Sequence, residues 1–213
     1  MKNALLIAST RAHADPRAIL RLQDTASFLL SRGWSVDLLV PRSSRLMAAA
    51  MPRAVRVLTV PRIPFMNDPP RRASLRRFAT GVLMFLRGVA LAARRGYTFL
   101  HGVDDGAIVA RAIDRGTVRR IPYVVELLDP YCSQGTRAKG IRSAVARSLE
   151  RSALRHAGAI VLPGEDVLGA FDGPIPKSRV SFIPDPHAEL FPDTFTRAEF
   201  DAALDKLYAY LLR

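Results

Sequence analysis

Short runs that are largely apolar on both faces alternate with amphipathic stretches along this 213-residue chain, and that alternation excludes most folds. ALLIAS (4–9), SVDLLV (35–40), AVRVLTV (54–60), YTFLHG (97–102), PYVVELL (122–128), AGAIVLP (157–163) and RVSFIP (179–184) read as strands. A strand apolar on both sides has to be covered on both, which a parallel sheet between two helical layers provides. Helical spacing fills the gaps. From about 15 to 32, Ile19, Leu22, Ala26, Leu29 and Leu30 recur on one face, with Asp15-Pro16 as N-cap and first-turn proline and Gly33 as the stop. Further helices are expected at about 71–95, 104–114 and 137–156, with a short one from Glu165. The expected fold is α/β, a single Rossmann-like doubly wound, mainly parallel sheet of about seven strands. Function in such a sheet gathers where the C-terminal strand ends lead into helices.

The length suits one large domain. The N-terminal apolar run stops after about six residues without a small-residue cleavage site, so it reads as a buried strand and not as a leader. No apolar run reaches the roughly 18 residues of a membrane span. A single cysteine, Cys132, excludes an internal disulfide and fits a reducing, cytoplasmic compartment. Neither G-x-G-x-x-G nor the P-loop pattern occurs, and no G-x-S-x-G supplies a nucleophile elbow. His13, His101, His156 and His187 are too scattered to form a zinc site, and no metal is expected. Asp104-Asp105, at a helix start, reads as a cap and dipole partner.

The net charge of +13 is confined to one half of the chain. Residues 1–100 hold 17 Lys/Arg against 4 Asp/Glu, while residues 101–213 hold 15 of each. Such asymmetry points to an anionic partner, although 28 of the 32 cations are Arg, a bias that genome composition can also produce. The stretch RRASLRRFATGVLMFLRGVALAARRG (71–96) localises it. At 100° per residue Arg72, Arg76, Arg87 and Arg94 share one stripe, with Leu83, Met84 and Leu91 within or beside it. Phe78, Val82, Phe85 and Val89 fall on the opposite side and are expected to face the core. Two readings remain, a solvated face on a crossover helix and a peripheral docking surface for the inner face of an anionic membrane or a lipid-linked acceptor. Nucleic acid is a poorer fit, because the chain has only five Tyr and one Trp to stack bases, and Trp34 reads as packing.

Four runs at strand ends carry the remaining signal: FLHGVDDGAIVARAI (99–113), IPYVVELLDPY (121–131), LERSALRHAGAIVLPGED (149–166) and RVSFIPDPHAELFP (179–192). In this order the chain resembles the N-terminal domain of family 4 glycosyltransferases, the retaining GT-B enzymes. Those enzymes show a V-H-x-H-D-like run before a helix, an E-x-H-D-like strand end, an E-R motif leading to S-E, and a last strand ending in I-P-N-G-V-D with Phe-Pro beyond. His101, Asp104, Glu126, Asp129, Glu150, Arg151 and Glu165 stand at matching positions. Val103 and Leu128 stand where the family has histidines, Gly164 replaces the serine of S-E, and Asp185-Pro186 replaces Asn-Gly. The loop TRAHADPR lacks the usual glycine pair.

The resemblance implies retaining transfer of a sugar from a nucleotide diphosphate donor, with no metal or other cofactor. It implies catalytic roles for His101, Asp104 and Asp129 and substrate binding by Glu126, Glu165 and Asp185. Two segments are expected, a GT-B N-terminal domain over 1–192 and a C-terminal amphipathic helix over 193–213. In that helix Thr196 and Glu199 form a capping box ahead of the stripe Phe200, Leu204, Leu207 and Leu211. In the resembled enzymes a second domain then supplies most of the donor site, so the expected partner is another chain carrying a donor domain. The other reading is a non-catalytic GT-B-derived binding or scaffold protein at a membrane surface.

Overall fold

The structure, a computed structural model, describes residues 2–8, 16–42, 45–61, 70–128, 141–168, 175–184 and 196–212. Its strands are β1 (Asn3–Ala8), β2 (Ser35–Pro41), β3 (Arg56–Val60), β4 (Phe99–Val103), β5 (Tyr123–Glu126), β6 (Ala159–Leu162) and β7 (Val180–Phe182). Its helices are α1 (Pro16–Ser31), α2 (Arg45–Ala50), α3 (Pro70–Arg95), α4 (Asp105–Gly116), α5 (Ile141–His156), α6 (Glu165–Leu168) and α7 (Arg197–Leu211). All seven expected strands form, paired in parallel in the order β3-β2-β1-β4-β5-β6-β7. The chain winds outward from β1 to β3, crosses through α3 and winds outward again from β4. The point of reversal lies between β1 and β4, where the doubly wound sheet opens a crevice.

Each face of the sheet has its own core, as the two-sided apolar strands require. Ala4, Leu6 and Ala8 of β1 pack with α1, Met47 of α2 and the apolar residues of α7. Leu5 and Ile7 point the other way, into the layer built by α3, α4 and α5. The short helix α2 gave no sequence signal, because RLMAAA is too brief to show a period. Gly33 ends α1 as expected. Its φ of 75° is in the left-handed region, and Trp34 N–H reaches back to Leu29 O (3.0 Å) while Gly33 N–H reaches Leu30 O (3.0 Å). These are the paired bonds of a Schellman stop.

The terminal helix packs back onto the domain. Thr196 and Glu199 form the expected capping box, and Phe200, Leu204, Leu207 and Tyr208 are buried in the same core as α1 and β4. Phe99 of β4 meets the Tyr208 ring at 4.7 Å between centroids, and Trp34 meets Phe99 edge-on at 5.1 Å. Arg197 pairs with Asp24 and Arg32 with Asp205, tying the first residue and the middle of the helix to α1 and the turn after it.

The long helix α3 is turned differently from its expected orientation. Met84, expected beside the arginines, is fully buried, together with Thr80 and Ala92, whereas Phe78 and Val82, expected in the core, are exposed. Contact with α4 sets this rotation. Gly88 lies so close to Ile113 that a methyl there would collide with it, and Phe85 and Val89 lie against Gly116. Only the half-buried Phe85 and Val89 of the expected apolar face reach the core. No described helix is long and apolar enough to cross a membrane.

At the crevice α4 starts so close to β1 that a side chain on Gly106 would strike the carbonyl of Ile7. Backbone cannot yield as a flexible side chain can, so Gly106→Ala is expected to destabilise the fold by about 1–3 kcal/mol in denaturant unfolding. Gly81, within α3, has open space around the position a methyl would take, so Gly81→Ala should stabilise by about 0.5–1 kcal/mol in the same experiment.

Candidate functional site

Four buried side chains from four elements converge beneath the C-terminal ends of β4 and β5. His101 of β4 and Glu126 of β5 are 1% and 2% exposed, and Arg21 of α1 is 1% exposed. Tyr208 of α7 completes the group. Arg21 Nε donates to Glu126 Oε1 (2.5 Å), and its two terminal nitrogens donate to Pro184 O (2.8 Å) and Ile183 O (3.0 Å). The other Glu126 oxygen lies 2.9 Å from His101 Nε2, and His101 Nδ1 lies 2.8 Å from the Tyr208 hydroxyl. One donor order uses every hydrogen: Nε2–H donates to the carboxylate and the Tyr208 hydroxyl donates to Nδ1. The reverse order at Tyr208 would strand a hydroxyl hydrogen in a buried site.

The electrostatics follow from this arrangement. Burial pushes the Glu126 carboxyl up, but the adjacent Arg21 guanidinium and the His101 hydrogen bond outweigh it and bring the group from 4.5 down to about 2. Burial, reinforced by the Glu126 charge, pushes the Tyr208 hydroxyl well above its ordinary value. The Arg21 guanidinium also lies 4.5 Å over the Phe200 ring, so α7 covers the pair with an aromatic face.

The same network holds the loops that leave the strands. Asp104 N–H donates to Glu126 O (2.8 Å), and Asp104 Oδ1 accepts from Leu128 N–H (2.9 Å), stitching the end of β4 to the end of β5. Asp104 was expected to cap α4, yet its side chain makes no cap hydrogen bond. Its φ of 48° places it in the left-handed region, where a non-glycine residue costs on the order of 1–3 kcal/mol and survives only because its surroundings hold it. The carboxylate is thereby aimed across the strand ends.

The candidate residues divide into three groups. His101, Asp104 and Glu126 come together in one buried cluster. Glu165 stands apart, exposed at the first residue of α6 beyond β6. Asp129 and Asp185 lie outside the described residues. Glu150, the acid of the E-R motif, is buried in α5. Among the arginines, Arg87 and Arg94 are exposed on α3, while the side chains of Arg72 and Arg76 lie outside the described residues. Among the described residues no group of three His, Cys, Asp or Glu could hold a metal ion.

Arg21 and Tyr208 were not singled out from sequence, although each had a signal. Arg21 belongs to the series Ala18, Arg21, Leu22, Thr25, Phe28 and Leu29 that forms the buried face of α1. A guanidinium at that spacing requires a buried acid. Tyr208 lies four residues after Leu204, on the stripe that buries α7.

Residues 19–186 match the family model described as "Glycosyl transferase 4-like domain". No curated protein sequence matches the chain. Among solved structures, sucrose-phosphate synthase from Thermosynechococcus elongatus is similar at a TM-score of 0.64 and 15% identity, covering 86% of this chain and 48% of that one. A unit of the same synthase, whose name gives the ranges 27–220 and 406–426, is similar at a TM-score of 0.62 and 13% identity. There the coverage is 98% of this chain and 97% of that unit. A UDP-glucose:anthocyanidin 3-O-glucosyltransferase solved in complex with UDP is similar at a TM-score of 0.58 and 14% identity, covering 92% of this chain and 56% of that one. The chain thus spans about half the length of the full-length enzymes it resembles.

Because the folded value of Glu126 lies below its ordinary one, its contribution is complete above about pH 4.5 and is lost as pH falls toward 2. Roughly 3 kcal/mol of unfolding free energy should disappear over that window, and Glu126→Gln should flatten that part of the profile. Arg21→Met, which leaves a buried carboxylate unpaired, should cost about 3–5 kcal/mol by chemical denaturation. Tyr208→Phe keeps the ring packing and should cost about 1 kcal/mol, with a change in the His101 ring-nitrogen shifts by NMR.

Proposed function

Since this chain belongs to the glycosyl transferase 4-like domain family, we propose that it is the acceptor-binding half of a retaining sugar transferase whose donor half lies on another chain. In that reaction the acceptor hydroxyl forms a bond to the anomeric carbon. The bond from that carbon to the nucleotide diphosphate breaks, the diphosphate leaves with the electron pair, and the hydroxyl proton passes to the leaving phosphate oxygen. The acceptor half has to hold the hydroxyl in line and to fix the cleft wall around it.

The observation that supports this reading most directly is the stitched pair of strand ends beside the β1/β4 crevice, with Asp104 strained across them. Asp104 and Asp129 are assigned to orient the acceptor hydroxyl, and Glu165 and Asp185 to bind substrate, the roles that the family resemblance implies. His101 and Glu126 act from behind: their polar atoms are taken up by Tyr208 and Arg21 and do not face the cleft. Their part in the reaction is to position Asp104, through the Glu126 carbonyl and the register of β4 on β5.

The arrangement of the synthase unit supports a donor half supplied from elsewhere. The first of its two ranges makes up about nine-tenths of it, so coverage of 97% extends into the second. In the synthase numbering those ranges are separated by residues 221–405, whereas here only residues 185–195 separate Pro184 from Thr196. A second reading, a non-catalytic GT-B-derived binding or scaffold protein, is favoured by Val103 and Leu128 at the two family histidine positions and by the complete burial of His101.

The chain should be assayed with a panel of nucleotide sugars, alone and mixed with the products of neighbouring open reading frames. Transfer is expected only in a mixture, with retained anomeric configuration, and Asp104→Asn should lower the restored rate by about 100-fold or more. Absence of nucleotide-sugar binding in every combination would overturn the transferase reading and leave the scaffold.

A further inference from the structure

A cavity of about 220 Å³ opens between β7 and α7, lined by Ser178, Arg179, Ser181, Lys206, Leu207 and Tyr210. It lies toward the opposite end of the sheet from the crevice. Ser178 and Arg179 lead into β7, and α7 ends with Leu211 against Gly158, just ahead of β6. Lys206 and Tyr210 stand four residues apart on one face of α7, and the buried Leu207 supplies an apolar wall. Sites for drug-sized ligands start at about 300 Å³, so this one takes something smaller than a nucleotide sugar.

The lining sets the chemistry of the occupant. It holds two cations and no acid. The acids of α7 are engaged elsewhere: Asp201 accepts from Arg197 Nε, Asp205 pairs with Arg32, and Glu199 closes the capping box. Arg179 is held from behind, with Nη1 donating to Ala157 O (2.9 Å), so its fork is set in place before anything binds. Among the described residues neither the exposed Lys206 ammonium nor the hydroxyls of Ser178, Ser181 and Tyr210 have a hydrogen-bond partner. Two cations match a phosphomonoester, which carries a charge of about −1.5 to −2 at neutral pH and presents three acceptor oxygens to the hydroxyls. A carboxylate would offer a single charge and two oxygens. Leu207 and the ring of Tyr210 suit a short carbon chain behind the phosphate.

We propose that this cavity binds a small phosphomonoester, with Arg179 and Lys206 on the phosphate, Ser178 and Ser181 donating to its oxygens, and Tyr210 beside its organic part. The site does not rest on the transferase reading. Its occupant ties α7 to β7, and both elements hold the buried network beneath the crevice. Tyr208, next to Leu207, bonds His101, and the chain leaving β7 gives the carbonyls of Ile183 and Pro184 to Arg21. A ligand at the far end of the sheet therefore stiffens two of the supports on which that network rests.

NMR titration of the full chain with glycerol 3-phosphate tests the proposal, at fixed ionic strength so that screening stays constant. Saturable amide shifts are expected over 178–181 and 206–210. Inorganic phosphate should compete for them, while glycerol and acetate should leave those amides unmoved. Lys206→Gln removes an exposed charge that has no partner, so the circular dichroism and melting curve of the free chain should not change. Binding should nevertheless weaken by about tenfold or more, the factor expected for losing a hydrogen bond to a charged group. The bound ester should also slow hydrogen exchange along α7, because detachment of that helix destroys the site. Shifts that never saturate, that centre on the crevice amides of Asp104 and Leu128, that acetate reproduces, or that survive Lys206→Gln would overturn the proposal. So would exchange in α7 that saturating ester does not slow.

Discussion

The buried pair of Arg21 and Glu126 is the interaction on which the functional end of this sheet depends. Two charges in an apolar interior are unfavourable unless geometry and further hydrogen bonds satisfy both. Here both are satisfied. The guanidinium uses its remaining donors on the carbonyls of Ile183 and Pro184, and the carboxylate gives its second oxygen to His101. One ion pair thereby ties α1 to β5, to the exit of the chain from β7 and, through His101 and Tyr208, to α7. Removing any member leaves the others with unmet hydrogen bonds in a site closed to water.

That dependence explains why α7 buries one face in the core. A terminal helix held only by its apolar stripe could detach at the cost of its buried area. Tyr208 adds a polar lock, and Phe200 lies under the guanidinium of Arg21. The clamps from Arg197 to Asp24 and from Arg32 to Asp205 act at the surface, where ion pairs contribute little. The hold on the helix therefore comes mainly from Phe200, Leu204, Leu207 and Tyr208. In functional terms, the wall of the proposed acceptor cleft and the terminal helix are a single mechanical unit, and the strained backbone of Asp104 is maintained by it.

Sequence patterns carried the architecture well, because the central strands β1, β4, β5 and β6 are largely apolar on both faces and α1 and α7 show a helical period. Gly33 and the Thr196–Glu199 capping box also follow local rules that do not depend on tertiary context. The rotation of α3 was not legible. Its apolar residues surround much of the helix, and only the close fit of Gly88 on Ile113 and of Phe85 and Val89 on Gly116 decides which of them are buried. Strand-end motifs singled out His101, Asp104 and Glu126, which converge in the fold, but they gave no sign that His101 and Glu126 are buried and paired with Tyr208 and Arg21. Arg21 and Tyr208 were missed because a charged residue on a buried helical face acquires meaning only once its acid is placed, and Glu126 is 105 residues away from Arg21.

Native-state hydrogen exchange at the amides of Asp104, Leu128 and Ile183 tests most directly whether one ion pair holds these strand ends and α7 together. Their acceptors are Glu126 O, Asp104 Oδ1 and Leu162 O. With Arg21→Lys, which keeps the charge and loses the fork, all three amides and the backbone amides of α7 should exchange faster together, through a common opening. Acceleration confined to Ile183, with Asp104, Leu128 and α7 unchanged, would contradict the account.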